Sequence, residues 1–566
     1  MMFHTPAFTL AFLPACLVGF YLCGRLRNPD RALGWLVACN LLFYGWWRPL
    51  HVLLLTGSVG INHIIARKIR TSRRSRICVA IGITFNLFML SWFKYAGFLL
   101  GAVVPFLPAL DIALPLAISF FTFQQIMFLV DTGRIAAADG VRPGHKEKNM
   151  GEKVYATDVA FPSPSWPGLA RPPTTFLGDT SKLVGGRAKP GHDGEVNPPH
   201  LTPYPDPQVA KPTHDEPANP PDQARLLHYA AFVTFFPHLI AGPIVRPSDI
   251  LPQLSAANLA KPNIHNLADG LLIFLLGLGK KLVLADMFGG FADTGFNAAA
   301  HGAELTFFEA WYATLSYALQ IYFDFSGYSD MAMGLARMFN IRFPLNFDSP
   351  YQATDIAAFW RRWHISLGAF LRDYLYIPLG GNRSGPMRQT ANLMATMLLA
   401  GLWHGAAWNF VVWGGLHGVF LVIRTQYRRV LPPMPAALAQ TITLLAVVVA
   451  WVPFRAASLS ATTTILSGLV GGNGIALPRM IVAAIPALAA IADPVAVLPY
   501  LGDARTLSFP EVSTCLLLGW LIVLTLPNVH RMTDRARHWT LTGSFAFSVQ
   551  ALFFAPHAAP FLYFQF

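Results

Sequence analysis

The chain has 566 residues, is 54% hydrophobic and only 13% charged, and has a mean hydropathy of +0.44. Soluble domains carry about a quarter charged residues, so this composition excludes an ordinary soluble protein and points to an all-α, polytopic membrane protein. Net charge is +13 with an isoelectric point near 9.6, but the positive residues sit in short loops between apolar stretches. That is positive-inside topology rather than a nucleic-acid surface.

From the N-terminus, TLAFLPACLVGFYLCG and ICVAIGITFNLFMLSWF are long enough to cross a hydrocarbon core of about 30 Å. LADGLLIFLLGLGKKLVLADMF, ALAQTITLLAVVVAWVPF and CLLLGWLIVLTLPNV follow later in the chain, and about ten to twelve passes are expected in all. Arg25, Arg27 and Arg31, the run RKIRTSRRSR at 67–76 and RTQYRR at 424–429 mark cytoplasmic loops, and counting back places the N-terminus outside. The start lacks a basic leader and a small-residue cleavage site, so the first pass is expected to be retained. Cys16, Cys23, Cys39, Cys78 and Cys515 lie in or beside apolar segments without a CxxC pair and read as small core residues.

Four regions are expected: N-terminal membrane helices at 1–133, an insertion at 134–225, a catalytic core with interfacial helices at 226–430, and C-terminal membrane helices at 431–566. The insertion holds 16 of the 44 prolines. Its composition cannot bury enough apolar surface to offset ordering entropy, so it reads as a disordered cytoplasmic loop insertion.

The chain resumes with LLHYAAFVTFFPHLIAGPIVRPSDILPQL, where Pro237, Gly242 and Pro243 interrupt a helix. Broken helices at membrane depth need protein or a water-filled cavity to satisfy the freed backbone groups, so this segment is a candidate cavity wall. His238 within it is a weak site candidate. Asp324 and Asp330 lie in the next apolar segment, about 240° apart on an ideal helix. They are expected to form structural ion pairs, with Arg337 or an arginine of the next stretch.

That stretch, AFWRRWHISLGAFLRDYLYIPLGGNR at 358–383, places Phe359, Trp360, Trp363, Leu367, Phe370 and Leu371 at helical spacing. Arg361, Arg362 and Arg372 fall largely off that face, which predicts an amphipathic interfacial helix with a basic cytoplasmic side. If the following helix starts near Gln389, His404 lies about 22 Å from that side. A histidine at such depth, between Trp403 and Trp408, marks a functional site by default. His417 on the returning pass reads as a packing residue. His364, His404 and His417 lack the short spacings of a zinc site, and no metal is expected.

PLAISFFTFQQIMFLVD, FVTFFPHLIAGPIVR, YFDFSGYSDMAMGLARMFNIRFPLNFDSPY, FWRRWHISLGAFLRDYLYIPLGGNR, GLWHGAAWNFVVWGGLHG and PFLYFQF stand in this order along most of the chain. Together they resemble the membrane-bound O-acyltransferases, in particular the alginate O-acetylase type and the D-alanyl transfer protein of teichoic acid synthesis. The resemblance implies a ring of transmembrane helices around a central funnel, floored on the cytoplasmic side by short amphipathic helices. It also implies His404 as the catalytic histidine, His364 as a second one facing the cytoplasm, and O-acyl transfer, alginate acetylation being the leading case. No tightly bound cofactor is implied; acetyl-CoA or another acyl thioester serves as donor. The implied partners are a periplasmic SGNH-hydrolase-like acetyltransferase and a polysaccharide acceptor at the bacterial inner membrane.

The residues suit that chemistry. A thioester is already activated, so the protein needs a base near neutrality, which histidine supplies. Arg361, Arg362 and Arg372 suit the phosphates of a coenzyme A-like donor, and Asn409 is a candidate to orient the imidazole or polarise the carbonyl. Peptidoglycan, cellulose or another exopolysaccharide remain alternative acceptors. A transporter or flippase using His404 and the aspartates as a relay is the rival from another class.

Overall fold

A computed structural model of the protein describes residues 2–26, 30–98, 114–138, 225–501, 509–532, 543 and 561–562. The helix Ile118–Ala138 runs past the expected boundary at 134, and the next described helix begins at Leu226. Nearly all of the predicted insertion thus lies outside the described residues. Helices make up most of the described chain, with one short parallel strand pair, Ala476–Pro478 against Asp493–Val495, among them.

Among the described residues, five helices are long and apolar enough to cross a membrane: Ala7–Gly24, Leu50–Thr71, Ser75–Phe98, Ala436–Arg455 and Phe509–Arg531. This is fewer than the ten to twelve passes expected. One long helix outside that set is the 32-residue Phe307–Met338, which carries the buried acids Glu309, Asp324 and Asp330. Such a helix sits among other helices and not in lipid.

Small residues set the helix spacing. The helix Ile264–Gly279 meets Phe307–Met338 so closely that a Cβ on Gly277 would lie 2.4 Å from the Gly327 carbonyl oxygen. The antiparallel hairpin of Gly385–His404 and Trp408–Val430 closes the same way, a Cβ on Gly414 falling 2.3 Å from the Met397 carbonyl oxygen. Lipid offers no hydrophobic drive between helices, so close backbone approach of this kind is what joins them. Side-chain amides add to it: Asn62 donates to Gln125 Oε1 at 3.0 Å, and Asn86 donates to Asn62 Oδ1 at 2.6 Å.

Asp324 and Asp330 of Phe307–Met338 find lysines instead of the expected arginines. A wide π turn at Lys280–Ala285 presents two consecutive lysines to that helix. Lys281 Nζ lies 2.7 Å from Asp324 and 2.8 Å from Asp286, and Lys280 Nζ lies 2.6 Å from Asp330. His530 Nε2 reaches the other oxygen of Asp330 at 2.9 Å. Arg337, the partner expected from sequence, lies 3.7 Å from Asp269.

Breaking such a pair from one side leaves a buried charge uncompensated. Lys281→Met is expected to destabilise the folded protein by roughly 3–5 kcal/mol, read as lower Tm and monodisperse yield in detergent. Combining it with Asp324→Leu is expected to recover about half of that loss, because the more deeply buried of the two carboxylates held by Lys281 is then gone and only the partly exposed Asp286 has lost this lysine.

Candidate active site

The histidines of interest sit where helices stop. His404 is the last residue of Gly385–His404, a 20-residue helix that begins four positions before Gln389 and therefore rises about 30 Å, further than the sequence predicted. Gly405 beyond it is extended, and a Cβ there would overlap the Phe410 ring at 2.0 Å. The stretch around His364 is likewise not one continuous amphipathic helix. Ile356–Arg362 and Ile365–Leu371 are separate, and His364 between them takes a left-handed backbone with φ of 43°. Its apolar residues face the protein interior, with Phe359, Trp360, Trp363 and Leu367 all buried.

Trp403 brings the two histidines to one place. Its ring centroid lies 4.8 Å from His404 and 6.5 Å from His364. Trp413 and Phe454 each stand 5.1 Å from the His404 ring, and Phe123 stacks on Trp403 at 5.3 Å. His364 is wholly buried. A cavity of about 130 Å³ opens beside His404, lined by Lys94, residues 114–120, Ile240, Trp403 and His404. Ile240 belongs to the interrupted segment expected to wall a cavity.

His364 is oriented by Asn346, a residue the sequence reading missed. Asn346 Oδ1 accepts from the backbone N–H of Ser366 at 3.2 Å and from the Ser366 hydroxyl at 2.8 Å. An atom that accepts a backbone N–H is the amide oxygen, so the His364 Nδ1 that lies 3.2 Å from it carries the proton and donates. The opposite nitrogen, Nε2, then holds the lone pair of a neutral imidazole and is a base. The amide nitrogen of Asn346 donates to Ser329 at 3.1 Å, which fixes its orientation.

Lys94 is the second missed residue. It lies at a π turn, Ser91–Tyr95, and its ammonium donates to the carbonyl oxygens of Trp403 at 2.5 Å and His404 at 3.1 Å. A lysine inside an apolar segment was the signal available in the sequence. Asn346, in a loop of ordinary composition, offered none.

The remaining candidates divide. Arg372 forks onto its neighbour Asp373 at 2.6 and 3.0 Å, a carboxylate that also receives Arg246, so its Nε and Nη2 are already engaged. Arg361 has Arg362, Arg424 and Arg428 around it and Asp355 as its nearby acid. Burial and those cations lower its guanidinium against the pull of Asp355. Among the described residues, Arg361 Nη1 is buried without a hydrogen-bond partner. Burial would raise the Asp355 carboxyl, but the Ala358 N–H and the Arg424 guanidinium outweigh it and hold this acid below the usual carboxylate range.

Asn409 donates to the Ala456 carbonyl at 2.7 Å, tying the hairpin turn to the next helix. His238 Nε2 lies 3.0 Å from the Phe232 carbonyl oxygen and Nδ1 lies 2.5 Å from Gln124, so this ring holds the broken segment together. Asp324 and Asp330 are occupied by their lysines. His417 packs against Trp360 at 5.1 Å and Trp413 at 4.9 Å.

Residues 107–463, which include both histidines, match the model of the membrane-bound O-acyltransferase family. The chain belongs to that family. It is 36% identical to a peptidoglycan O-acetyltransferase of Helicobacter pylori, over 100% of this chain and 98% of that protein. It is 33% identical to a protein of Pseudomonas aeruginosa named "Probable alginate O-acetylase", over 81% of this chain and 73% of that one. A teichoic acid D-alanyltransferase of Streptococcus thermophilus is 30% identical over 36% of this chain and 50% of its own. The protein is therefore a membrane-embedded O-acyltransferase, and the transporter reading is set aside.

In this acyltransferase Asn346→Ala removes the acceptor that fixes the His364 tautomer. With His364 in a catalytic role, this substitution is expected to lower kcat about 10- to 100-fold, the size seen for outer partners of catalytic imidazoles. Asn346→Asp, which keeps the acceptor, is expected to retain most of the activity. Turnover and Tm measured on the same preparations check this.

Proposed function

We propose that this enzyme takes an acetyl group from a cytoplasmic thioester, acetyl-CoA or another acyl thioester, and passes it across the inner membrane to O-acetylate an exported polysaccharide such as alginate. His404 and His364, both beside Trp403, act on the transfer. One observation supports this above the others: a single indole lies 4.8 Å from one imidazole and 6.5 Å from the other, at a cavity between broken helices.

The chemistry asks little more. A hydroxyl oxygen attacks the acyl carbon while the His404 imidazole takes its proton, the carbon–sulfur bond breaks, and the thiol leaves with a proton returned by the imidazole. Such base catalysis contributes about 10²- to 10⁴-fold. A funnel within a ring of about ten to twelve helices gives the acceptor side its access. A periplasmic partner of the SGNH-hydrolase type completes delivery and selects the polymer. A second acceptor, peptidoglycan, is favoured by the match to the Helicobacter pylori protein over nearly the whole of both chains.

At the cytoplasmic mouth, Arg361 and Arg362 receive the donor phosphates, with Arg372 removed from the set by Asp373. The cation cluster around Arg361 and its buried, unpartnered Nη1 support this.

His404→Ala is expected to lower acetylation of the envelope polysaccharide at least 100-fold while its export continues, checked by mass spectrometry of surface polymer. Export failing together with acetylation would count against acyl transfer as the role of this histidine. Arg361→Gln with Arg362→Gln is expected to raise KM for acetyl-CoA about 10-fold at little change in kcat, since it removes ground-state binding.

A further inference from the structure

The helix that ends at His404 leaves its last carbonyls without intrahelical donors, as every α-helix does. At membrane depth water does not supply them. Here they are met by two adjacent side chains from the π turn Ser91–Tyr95. Tyr95 donates its hydroxyl to the Leu402 carbonyl at 2.8 Å, and Lys94 donates to those of Trp403 and His404. Three successive carbonyls at the histidine-bearing terminus are thus held by two successive residues. A cation at a helix C-terminus is also favoured by the helix dipole.

An ammonium carries three donors. Trp403 and His404 take two, and the Ser119 hydroxyl, 3.4 Å away, stands at the third. The same ammonium lies 5.9 Å from the Trp403 ring centroid. With its donors engaged, Lys94 has no proton to offer a substrate in the adjoining cavity. What it fixes is the backbone of the two residues whose rings form the site.

We propose that Lys94, with Tyr95 beside it, is a positioning residue for acyl transfer: it clamps the carbonyls of Trp403 and His404 and so sets the imidazole against the 130 Å³ cavity. This rests on the reading of His404 as the base. It goes beyond that reading because both side chains act through the backbone carbonyls they hold. Displacement of a catalytic group by about 1 Å costs on the order of 100-fold in rate, which sets the size of the effect.

The test uses the full chain purified in detergent, with acetyl-CoA as donor probe, and reads kcat, KM and Tm per monodisperse protein. Lys94→Met, similar in length but without donors, is expected to lower kcat about 100-fold with KM for acetyl-CoA within about twofold. Lys94→Arg keeps charge and two donors and is expected to recover about tenfold of that loss. Tyr95→Phe removes one hydroxyl and is expected to lower kcat severalfold with Tm little changed. That variant decides the matter if Lys94→Met yields no folded protein. A kcat within about twofold of the parent for Tyr95→Phe and for every folded Lys94 variant overturns the proposal. His404→Ala run in parallel separates the two ideas. If it is inactive while the Lys94 and Tyr95 variants are not, the clamp alone is wrong; if it retains full kcat, the reading of His404 falls and takes the clamp with it.

Discussion

The constraint on which this structure turns is that a helix broken inside a membrane exposes backbone groups that water does not satisfy. The described chain has three such breaks near the site, and each is met by specific side chains. The terminus at His404 is met by Lys94 and Tyr95. The break between Thr234 and Phe236 is met by Asn40, which takes the Phe236 N–H at 3.2 Å and reaches the Thr234 hydroxyl at 3.3 Å. The break at His364 is met by Asn346. Polar residues are costly in this setting, so their grouping at helix ends is the mark of a site and not of random substitution.

The breaks also explain why the histidines point where they do. An imidazole in mid-helix faces one neighbouring helix, whereas one at a terminus faces the gap beyond it. His364 adopts a left-handed backbone that costs about 1–3 kcal/mol for a residue with a Cβ and persists only if its surroundings determine it several times over. Asn346 does this: its backbone carbonyl takes the Ile365 N–H at 2.9 Å while its side-chain oxygen takes Ser366 and the His364 ring. The same contacts that hold the strained backbone select the tautomer. Local strain and imidazole orientation therefore have one cause.

Much of this was legible in the sequence. Apolar segment length announced a membrane protein, and the depth of His404 in GLWHGAAW announced a site, because both follow from local composition. The interruption by Pro237, Gly242 and Pro243 was equally local. What escaped needed distant parts of the chain together. Lys280 and Lys281 took the acids assigned to arginines because a π turn, invisible in hydropathy, aimed both at one helix. Asp373 follows Arg372 directly, yet the fork between them needed coordinates to see. The apolar periodicity through 359–371 suggested one helix, but period alone does not register a single left-handed residue at 364.

The distribution of charge separates structural from functional cations more sharply than their number does. Lys280 and Lys281 each lie within 2.8 Å of a carboxylate, and Arg372 is matched in the same way, so none attracts a further anion strongly. Arg361 differs in kind. It is crowded by three other guanidinium groups around one acid, and that acid is already held by Arg424 at 3.0 Å. Like charges at such proximity disfavour one another and are relieved when an anion arrives. On the function proposed above, a phosphate-bearing donor relieves it and a neutral acyl ester does not. On the same reading, this cluster favours the carrier of the acyl group over the acyl group itself.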